Sequence, residues 1–219
     1  MKKLIIFGNT EVARLASFYF DRDSEYEIEC FAVDREFLKE KELCGYPIVE
    51  FETVQDAFPP GEYDMFVAVG PNKMNAIREE KILEAIEKGY ELASYQSPSA
   101  ICHADYGYNT LIADYAVINP FTKIGNGNCF WEFTLVANDS EVGDFCYFSP
   151  RSVLASYSKV ENNAVLGSGA IVKSRVRIGY KTLLGAGCFL SKDSEDYAVY
   201  GRRSEASLGN VSDKVKSWT

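Results

Sequence analysis

Histidine is nearly absent from this 219-residue sequence, with His103 the single one, and no Cys-x-x-Cys pair occurs among Cys30, Cys44, Cys102, Cys129, Cys146 and Cys188. That excludes the common zinc constellations, which need grouped Cys and His ligands. An apolar run of the roughly 18 residues that a membrane span requires is also missing, and Met1-Lys2-Lys3 leads into only Leu4-Ile5-Ile6-Phe7 before Gly8. The expectation is a chain neither membrane-spanning nor signal-directed, whose cysteines are reduced, small apolar residues of a cytoplasmic protein. At 47% apolar and 25% charged residues, the composition is that of a globular protein and excludes disorder, collagen and the disulfide-dense mini-protein class. At roughly 100–200 residues per domain, the length suits one large domain or two modest ones.

An excess of positive charge is lacking as well. The net charge is −9, and residues 1–100 carry all of it, with 11 basic and 20 acidic side chains against 12 of each in 101–219. Within the second half, Lys173, Arg175, Arg177, Lys181, Lys192, Arg202 and Arg203 face only Asp193, Glu195 and Asp196. This argues against general nucleic-acid binding; the local cluster is either one anion site or a solvated set of surface charges.

What is abundant is periodicity. Written in sixes, residues 112–195 place Ile112, Ile118, Ile124, Phe130, Val136, Val142, Phe148, Leu154, Val160, Leu166, Val172, Ile178, Leu184 and Leu190 at the first position, all large and apolar. At this apolar content, chance would produce that run with a probability of about 10⁻⁵. The fifth positions, from Ala116 through Ser140 and Ser158 to Ser194, are small or slim. A period of six fits neither a helix at 3.6 nor a two-sided strand at 2. It fits a triangular coil of three hexapeptides, with 18 residues per turn and turns stacked about 4.8 Å apart.

This repeat resembles the left-handed parallel β-helix of the hexapeptide-repeat acyltransferases. The left hand, a homotrimer and an acyl-CoA arm lying along a coil edge between two subunits are what the resemblance implies; a purely structural rod is the other reading of such a solenoid.

The first half alternates strands and helices. Lys3–Phe7 is an apolar run ending at Gly8-Asn9-Thr10, after which Val12, Leu15, Ala16 and Tyr19 recur at helical spacing. Strands are expected over Glu27–Val33, Tyr63–Val69 and Glu91–Tyr95, and a helix over Asn72–Lys88. The alternation implies a small Rossmann-like parallel sheet with its site at the strand C-terminal ends. The Gly8 turn lacks the second and third glycines of a dinucleotide fingerprint, which argues against NAD. It is either a packing turn or a cradle for the phosphate of a sugar nucleotide at a helix N-terminus, with Asp34 placed to meet a ribose or base. Alternation stops near Gln96-Ser97-Pro98-Ser99-Ala100, so the expected domains are 1–95 and 96–219.

Pro98-Ser99-Ala100, Gly143-Asp144-Phe145, Ser149-Pro150 and Leu184-Gly185-Ala186-Gly187 together make the whole chain similar to the sialic-acid O-acetyltransferase and bacillosamine N-acetyltransferase group of bacterial sugar acyltransferases. Tyr200-Gly201-Arg202-Arg203 matches that group's G-x-P-A tail only at the glycine. The group carries a catalytic His, followed by Asp or His, at the third and fourth places of one hexapeptide. Here Asn138 and Asp139 occupy them, and Tyr147 stands where a second His is sometimes found. The resemblance therefore makes Asn138 and Asp139 the candidate catalytic residues. Candidate acceptor contacts are Gly8, Asn9, Thr10, Asp34 and Tyr147. Candidate acetyl-CoA contacts are Ser156, Ser174, Ala186, Lys192 and Arg202. Of these, Ser156, Ser174 and Lys192 follow Asn138 at 18-residue steps and stack along one edge. Phe121, Trp131, Phe133, Phe145 and Tyr147 are expected to be exposed beside that edge and to need cover from neighbouring subunits, with packing inside the chain as their other role.

An amide nitrogen is no base, but Asn can orient an acceptor or polarise a thioester carbonyl. A carboxylate of ordinary pKa, about 4, is a poor base for a hydroxyl unless burial raises it. A neutral amine is already nucleophilic. The expected function is acyl-CoA-dependent transfer, of acetyl above all, to a nucleotide-linked sugar or glycan precursor, with an amino sugar favoured. The alternative is a catalytically lapsed trimer that binds a sugar nucleotide or acts as an assembly partner. His103 reads as a surface residue of the first, incomplete coil.

Overall fold

A computed structural model describes residues 2–201. Leu4–Phe7 carries no polar side chain and is buried throughout, as befits a central strand covered on both faces. It lies in β1 (Lys2–Phe7), which pairs in parallel with β2 (Tyr26–Val33). Strands β3 (Glu42–Leu43), β4 (Tyr46–Glu50) and β5 (Tyr63–Val67) complete a sheet of order β3-β4-β2-β1-β5, parallel except at the β3 edge. Helix α1 (Glu11–Asp23) links β1 to β2, the short α2 (Val54–Ala57) precedes β5, and α3 (Ala76–Glu87) follows it. α1 buries Ala13, Ala16, Tyr19 and Phe20, a stripe in which the two alanines bring the helix close to the sheet.

Two expectations shift. The helix expected from Asn72 begins at Ala76, because Lys73, Met74 and Asn75 all take left-handed backbone, with φ of 50°, 55° and 61°. The strand expected over Glu91–Tyr95 is divided: Leu92 bridges Met65 at the sheet edge, whereas Tyr95–Gln96 pairs with Leu111–Ile112 and starts the coil.

From Tyr95 the chain winds through three stacked parallel sheets of two-residue strands. Face 1 has seven strands, from Tyr95–Gln96 to Val199–Tyr200; face 2 has six, from Ile101–Cys102 to Phe189–Leu190; face 3 has four, from Lys123–Ile124 to Arg177–Ile178. Partners on a face are 18 residues apart, as in Leu111, Cys129, Tyr147, Val165 and Leu183 on face 1. The end coils are tighter: Tyr95 pairs with Leu111, Ile101 with Val117 and Leu183 with Val199, each 16 residues apart.

The repeat explains the coil position by position. First-position side chains fill the interior; of the fourteen, all but Ile124 are buried. Every fifth-position side chain is buried at a corner, where the hydroxyls of Thr122, Ser140 and Ser158 donate to the carbonyls of Asn119, Ala155 and Lys173. Fourth positions make the turn: from Tyr115 to Gly187, thirteen in succession have φ between 49° and 67°. Only Gly127, Gly169 and Gly187 among them are glycine, so the others each carry strain of about 1 kcal/mol, offset by the stacked ladders and the core.

The N-terminal unit packs on face 1. Leu111, Cys129 and Trp131 share one buried cluster with Leu4, Phe20 and Phe66, and Phe145 joins Ile82 and Tyr90 in another. The expectation that Trp131 and Phe145 are exposed is therefore corrected, since both are buried against this unit, and Tyr147 is half-buried there. Phe121 and Phe133 are exposed as expected.

At the corner between faces 1 and 2, Arg22 makes a two-pronged contact with Asp114, at 3.0 and 2.8 Å, and Tyr19 Oη donates to Glu132 at 2.6 Å. The Arg22 guanidinium, with help from the Ser97 hydroxyl, holds the Asp114 carboxyl at about 2, below the usual 3.8. A depressed carboxylate pKa stabilises the fold fully above the ordinary value, and that contribution disappears as pH falls through the lowered one. Arg22→Ala is expected to lower the urea midpoint at pH 7, and its difference from wild type should close between pH 4 and pH 2. A difference that stays constant over that range would remove Asp114 from the account.

Candidate functional site

The corner between faces 2 and 3 carries the Asn138 column. Because Leu135, Val153, Ile171 and Phe189 pair in register, the third-position residues Asn138, Ser156, Ser174 and Lys192 stack on successive turns. Ser156 Oγ donates to Asn138 Oδ1 at 2.8 Å, and Asn138 Nδ2 donates to Asp139 Oδ2 at 2.6 Å. The amide is thereby fixed at both ends. Asp139 stands at the left-handed turn position with φ of 56°, and among the described residues its Oδ1 accepts no hydrogen bond. Ser174 and Lys192 are exposed, while Ser156 is half-buried. What the corner offers is an open column of polar side chains beside a carboxylate with one oxygen that accepts no hydrogen bond among the described residues.

Not every expected partner reaches this corner. Ala186 follows Leu183–Leu184 of face 1, so it sits on the corner between faces 1 and 2 and not in the Asn138 column. Tyr147 also lies on face 1, with the Arg78 guanidinium 5.5 Å above its ring and Trp131 tilted against it at 6.1 Å, and burial pushes its phenol pKa up. The structure thus separates Tyr147 from Asn138. Arg202 lies outside the described residues. His103 is exposed, and its N–H donates to Ile118 O, which places it below Asn119 on the same corner as Asn138. Two coil steps, about 10 Å, still separate it from the Asn138 turn.

Gly8, Asn9, Thr10 and Asp34 converge on a second place. They line a cavity of about 440 Å³ at the C-terminal ends of β1, β2 and β5. Gly8 has φ of 124°, and a Cβ there would stand 2.7 Å from Ala68 O, so the turn admits only glycine. Asn9 Nδ2 donates to Phe37 O at 3.3 Å. Asp34 accepts from Lys81 Nζ at 2.8 Å, and Lys81 also pairs with Glu84 at 2.9 Å. Burial by itself would lower the Lys81 pKa, but the hydrogen bonds that Lys81 donates to these two carboxylates outweigh it and the pKa is raised. Phe37, Pro71, Asn72 and Ile77 complete the wall. The rule that places sites at strand C-terminal ends points to the Pro71–Asn72 loop; no signal in the sequence marks Lys81 as the partner of Asp34.

The two places lie on opposite sides of the coil. The N-terminal unit contacts face 1 and its two corners, whereas Asn138 occupies the remaining corner, between faces 2 and 3.

No family model matches the chain. GDP-perosamine N-acetyltransferase of Escherichia coli O157:H7 is 28% identical over 123 residues, 51% of this chain and 53% of that relative. The match thus spans about half of the relative's length. Among solved structures, a variant of perosamine N-acetyltransferase from Caulobacter crescentus with a histidine replaced by asparagine, in complex with CoA and GDP-perosamine, superposes with a TM-score of 0.83 at 25% identity, covering 91% of this chain and 93% of that one. The acetyltransferase domain of PglB from Neisseria gonorrhoeae FA1090, in complex with acetyl coenzyme A, superposes with a TM-score of 0.82 at 22% identity, covering 90% and 95%, which speaks for the fold. Sequence and fold alike place the chain's relatives among the hexapeptide-repeat bacterial sugar acyltransferases, the group that its motifs resemble.

Proposed function

We propose that the protein transfers the acetyl group of acetyl-CoA to the amine of a nucleotide-linked sugar. In this reading residues 1–95 are a Rossmann-like nucleotide-binding domain and 96–219 a left-handed β-helix, and the molecule is a cytoplasmic homotrimer. The observation that carries it is the presence of two separate sites, the Gly8–Asp34 cavity and the Asn138 corner, on a fold that a relative holding both CoA and GDP-perosamine matches over 91% of the chain.

The sugar nucleotide sits in the cavity, its phosphates at the Gly8 turn and the N-terminus of α1, and its ribose or base near Asp34. Pantetheine runs along Ser156 and Ser174, and Lys192 and Arg202 meet the phosphates of CoA. Ala186, on the adjacent corner, contacts CoA from the neighbouring subunit. Since a chain's own cavity and corner lie on opposite sides of the coil, the sugar in one subunit reaches the Asn138 corner of another. The outward row of face 2, Val117, Leu135, Val153, Ile171 and Phe189, is apolar throughout and supports such an assembly.

At the corner, the neutral amine attacks the thioester carbonyl, Asn138 holds the acceptor, and Asp139 accepts the amine proton directly or through a water. Collapse of the tetrahedral intermediate breaks the C–S bond, and the CoA thiolate leaves and takes up a proton. Mass spectrometry of the protein with acetyl-CoA and a panel of GDP-, UDP- and dTDP-linked amino sugars tests the reading, with a product 42 Da heavier than its acceptor as the expected result. Asn138 in place of a histidine favours the one alternative, a lapsed enzyme that binds a sugar nucleotide and transfers nothing; nucleotide binding without any product would establish it.

Charge reversal tests the CoA placement. Lys192→Glu combined with Arg202→Glu is expected to weaken acetyl-CoA affinity about 10–100-fold in calorimetry. An unchanged affinity puts CoA elsewhere.

A further inference from the structure

Among the described residues, Arg78 is the largest fully buried side chain, and it forms no ion pair there. Burying a guanidinium without a carboxylate is costly, and an apolar side chain would seal the same interface more cheaply. What Arg78 does instead is donate to four backbone carbonyls. Nη1 reaches Val69 O at 3.3 Å, Nε reaches Gly127 O at 3.3 Å, and Nη2 reaches Phe145 O at 3.0 Å and Cys146 O at 3.2 Å. Its plane lies over Tyr147. Three of the carbonyls belong to two successive turns of the coil, and the fourth belongs to the wall of the Gly8–Asp34 cavity.

The neighbours of Arg78 on α3 repeat the pattern. Asn75, fully buried, donates to Asn163 O and Ala164 O at 3.1 and 3.3 Å, and Glu79 accepts from Asn163 Nδ2 at 2.9 Å. Asn75 also ends the left-handed turn Lys73–Asn75, which leads out of the cavity-lining Pro71 and Asn72. Three consecutive non-glycine residues in that conformation hold only where the surroundings over-determine them. The coil also makes room for the approach: a Cβ on Gly127 would stand 2.5 Å from Phe145 and 3.1 Å from Ile82 of α3.

We propose that Arg78 is a positioning residue that ties the Val69–Asn72 wall of the cavity to the coil, and so fixes where a bound nucleotide sits relative to the coil. This rests on the nucleotide reading of the cavity. The geometry demands a fork: only a guanidinium has five donors in one plane to meet carbonyls in several directions. An ammonium satisfies part of the set, and a thioether none.

The test uses the full chain with Arg78→Met and Arg78→Lys. Hydrogen–deuterium exchange should show residues 69–76 exchanging at least tenfold faster in Arg78→Met, while the coil core around Phe148 and Leu166 stays protected. Calorimetry with GDP and UDP should show the nucleotide bound by wild type weakened at least tenfold in Arg78→Met and less in Arg78→Lys, with acetyl-CoA affinity changed by less than twofold. Unchanged exchange over 69–76 overturns the bracket, and so does parallel loss of both ligands with general loss of protection, which marks a merely structural role. If wild type binds neither nucleotide while exchange responds as expected, the cavity reading fails, and the role of Arg78 in placing a ligand fails with it.

Discussion

Asp139→Asn is expected to lower kcat by about 10²–10⁴-fold, the usual cost of losing a general base. The substitution is nearly isosteric, and Asp139 packs nothing that would collapse. Its one side-chain partner is Asn138 Nδ2, and an asparagine oxygen can still accept that hydrogen bond. Binding along Ser156 and Ser174 needs no charge at 139, so acetyl-CoA affinity should hold within about twofold. Undiminished turnover in Asp139→Asn would sink the base assignment. The complementary change, Asn138→His, puts an imidazole where the Asn138 amide now bridges Ser156 and Asp139. A histidine so placed is a base only when neutral. The variant's kcat/KM should therefore gain a limb that rises as pH passes about 6.5, the ordinary imidazole value. Access to hydroxyl acceptors should follow, since an alcohol needs its proton removed and a neutral amine does not. No turnover in wild type or Asn138→His across the acceptor panel would favour the lapsed enzyme.

The coil was legible because its period is written in single residues. A large side chain must fill each face and a slim one each corner, so Ile112 to Leu190 and Ala116 to Ser194 announce their places one by one. The turn itself was not legible, because left-handed backbone at Tyr115, Phe121, Arg151 and Lys181 is set by closure of the coil against the residues' own preference. β1 shows as an apolar run at Leu4–Phe7, and β2 and β5 show by their apolar ends, Cys30–Val33 and Met65–Val67. β4, only five residues long and with Pro47 as its second, gives a weaker signal. Trp131 and Phe145 are buried where exposure was expected. Alternation tells which side chains point out of a coil, but not which face another domain covers, and that face was settled by contacts between residues about 50 to 110 positions apart, such as Arg78 with Gly127 and Tyr19 with Glu132. The same distance in sequence hid Arg78 and Lys81. The cavity residues Gly8, Asn9, Thr10 and Asp34 came together because parallel α/β topology brings the C-terminal ends of adjacent strands to one edge, whatever the loops contain.

Leu135→Glu combined with Ile171→Glu is expected to abolish the proposed homotrimer and, with it, nearly all of the proposed acetyl transfer. The three faces of the coil differ in outward chemistry. Face 1 is covered by the N-terminal unit over its early strands. Face 3 presents Lys123, Glu141, Lys159 and Arg177, tied together by the Lys123–Glu141 pair at 2.9 Å and by Glu161 with Lys159 and Arg177, a row suited to water. Face 2 presents only apolar side chains, with Ile171 43% and Phe189 65% exposed. A continuous apolar row between a covered face and a charged one is the surface that supports the proposed contact with a second copy of the chain. A carboxylate buried there without a partner costs several kcal/mol, and a symmetric trimer incurs it at three interfaces. Sedimentation at micromolar concentration should show the double variant as a monomer, and Lys159→Ala on face 3 should remain trimeric. Because a chain's cavity and its Asn138 corner lie on opposite sides of the coil, the monomer should keep its nucleotide affinity while losing turnover, a split that unfolding would not produce. A double variant that stays trimeric would move the interface off face 2, and a fully active monomer would show that one subunit contains the whole site.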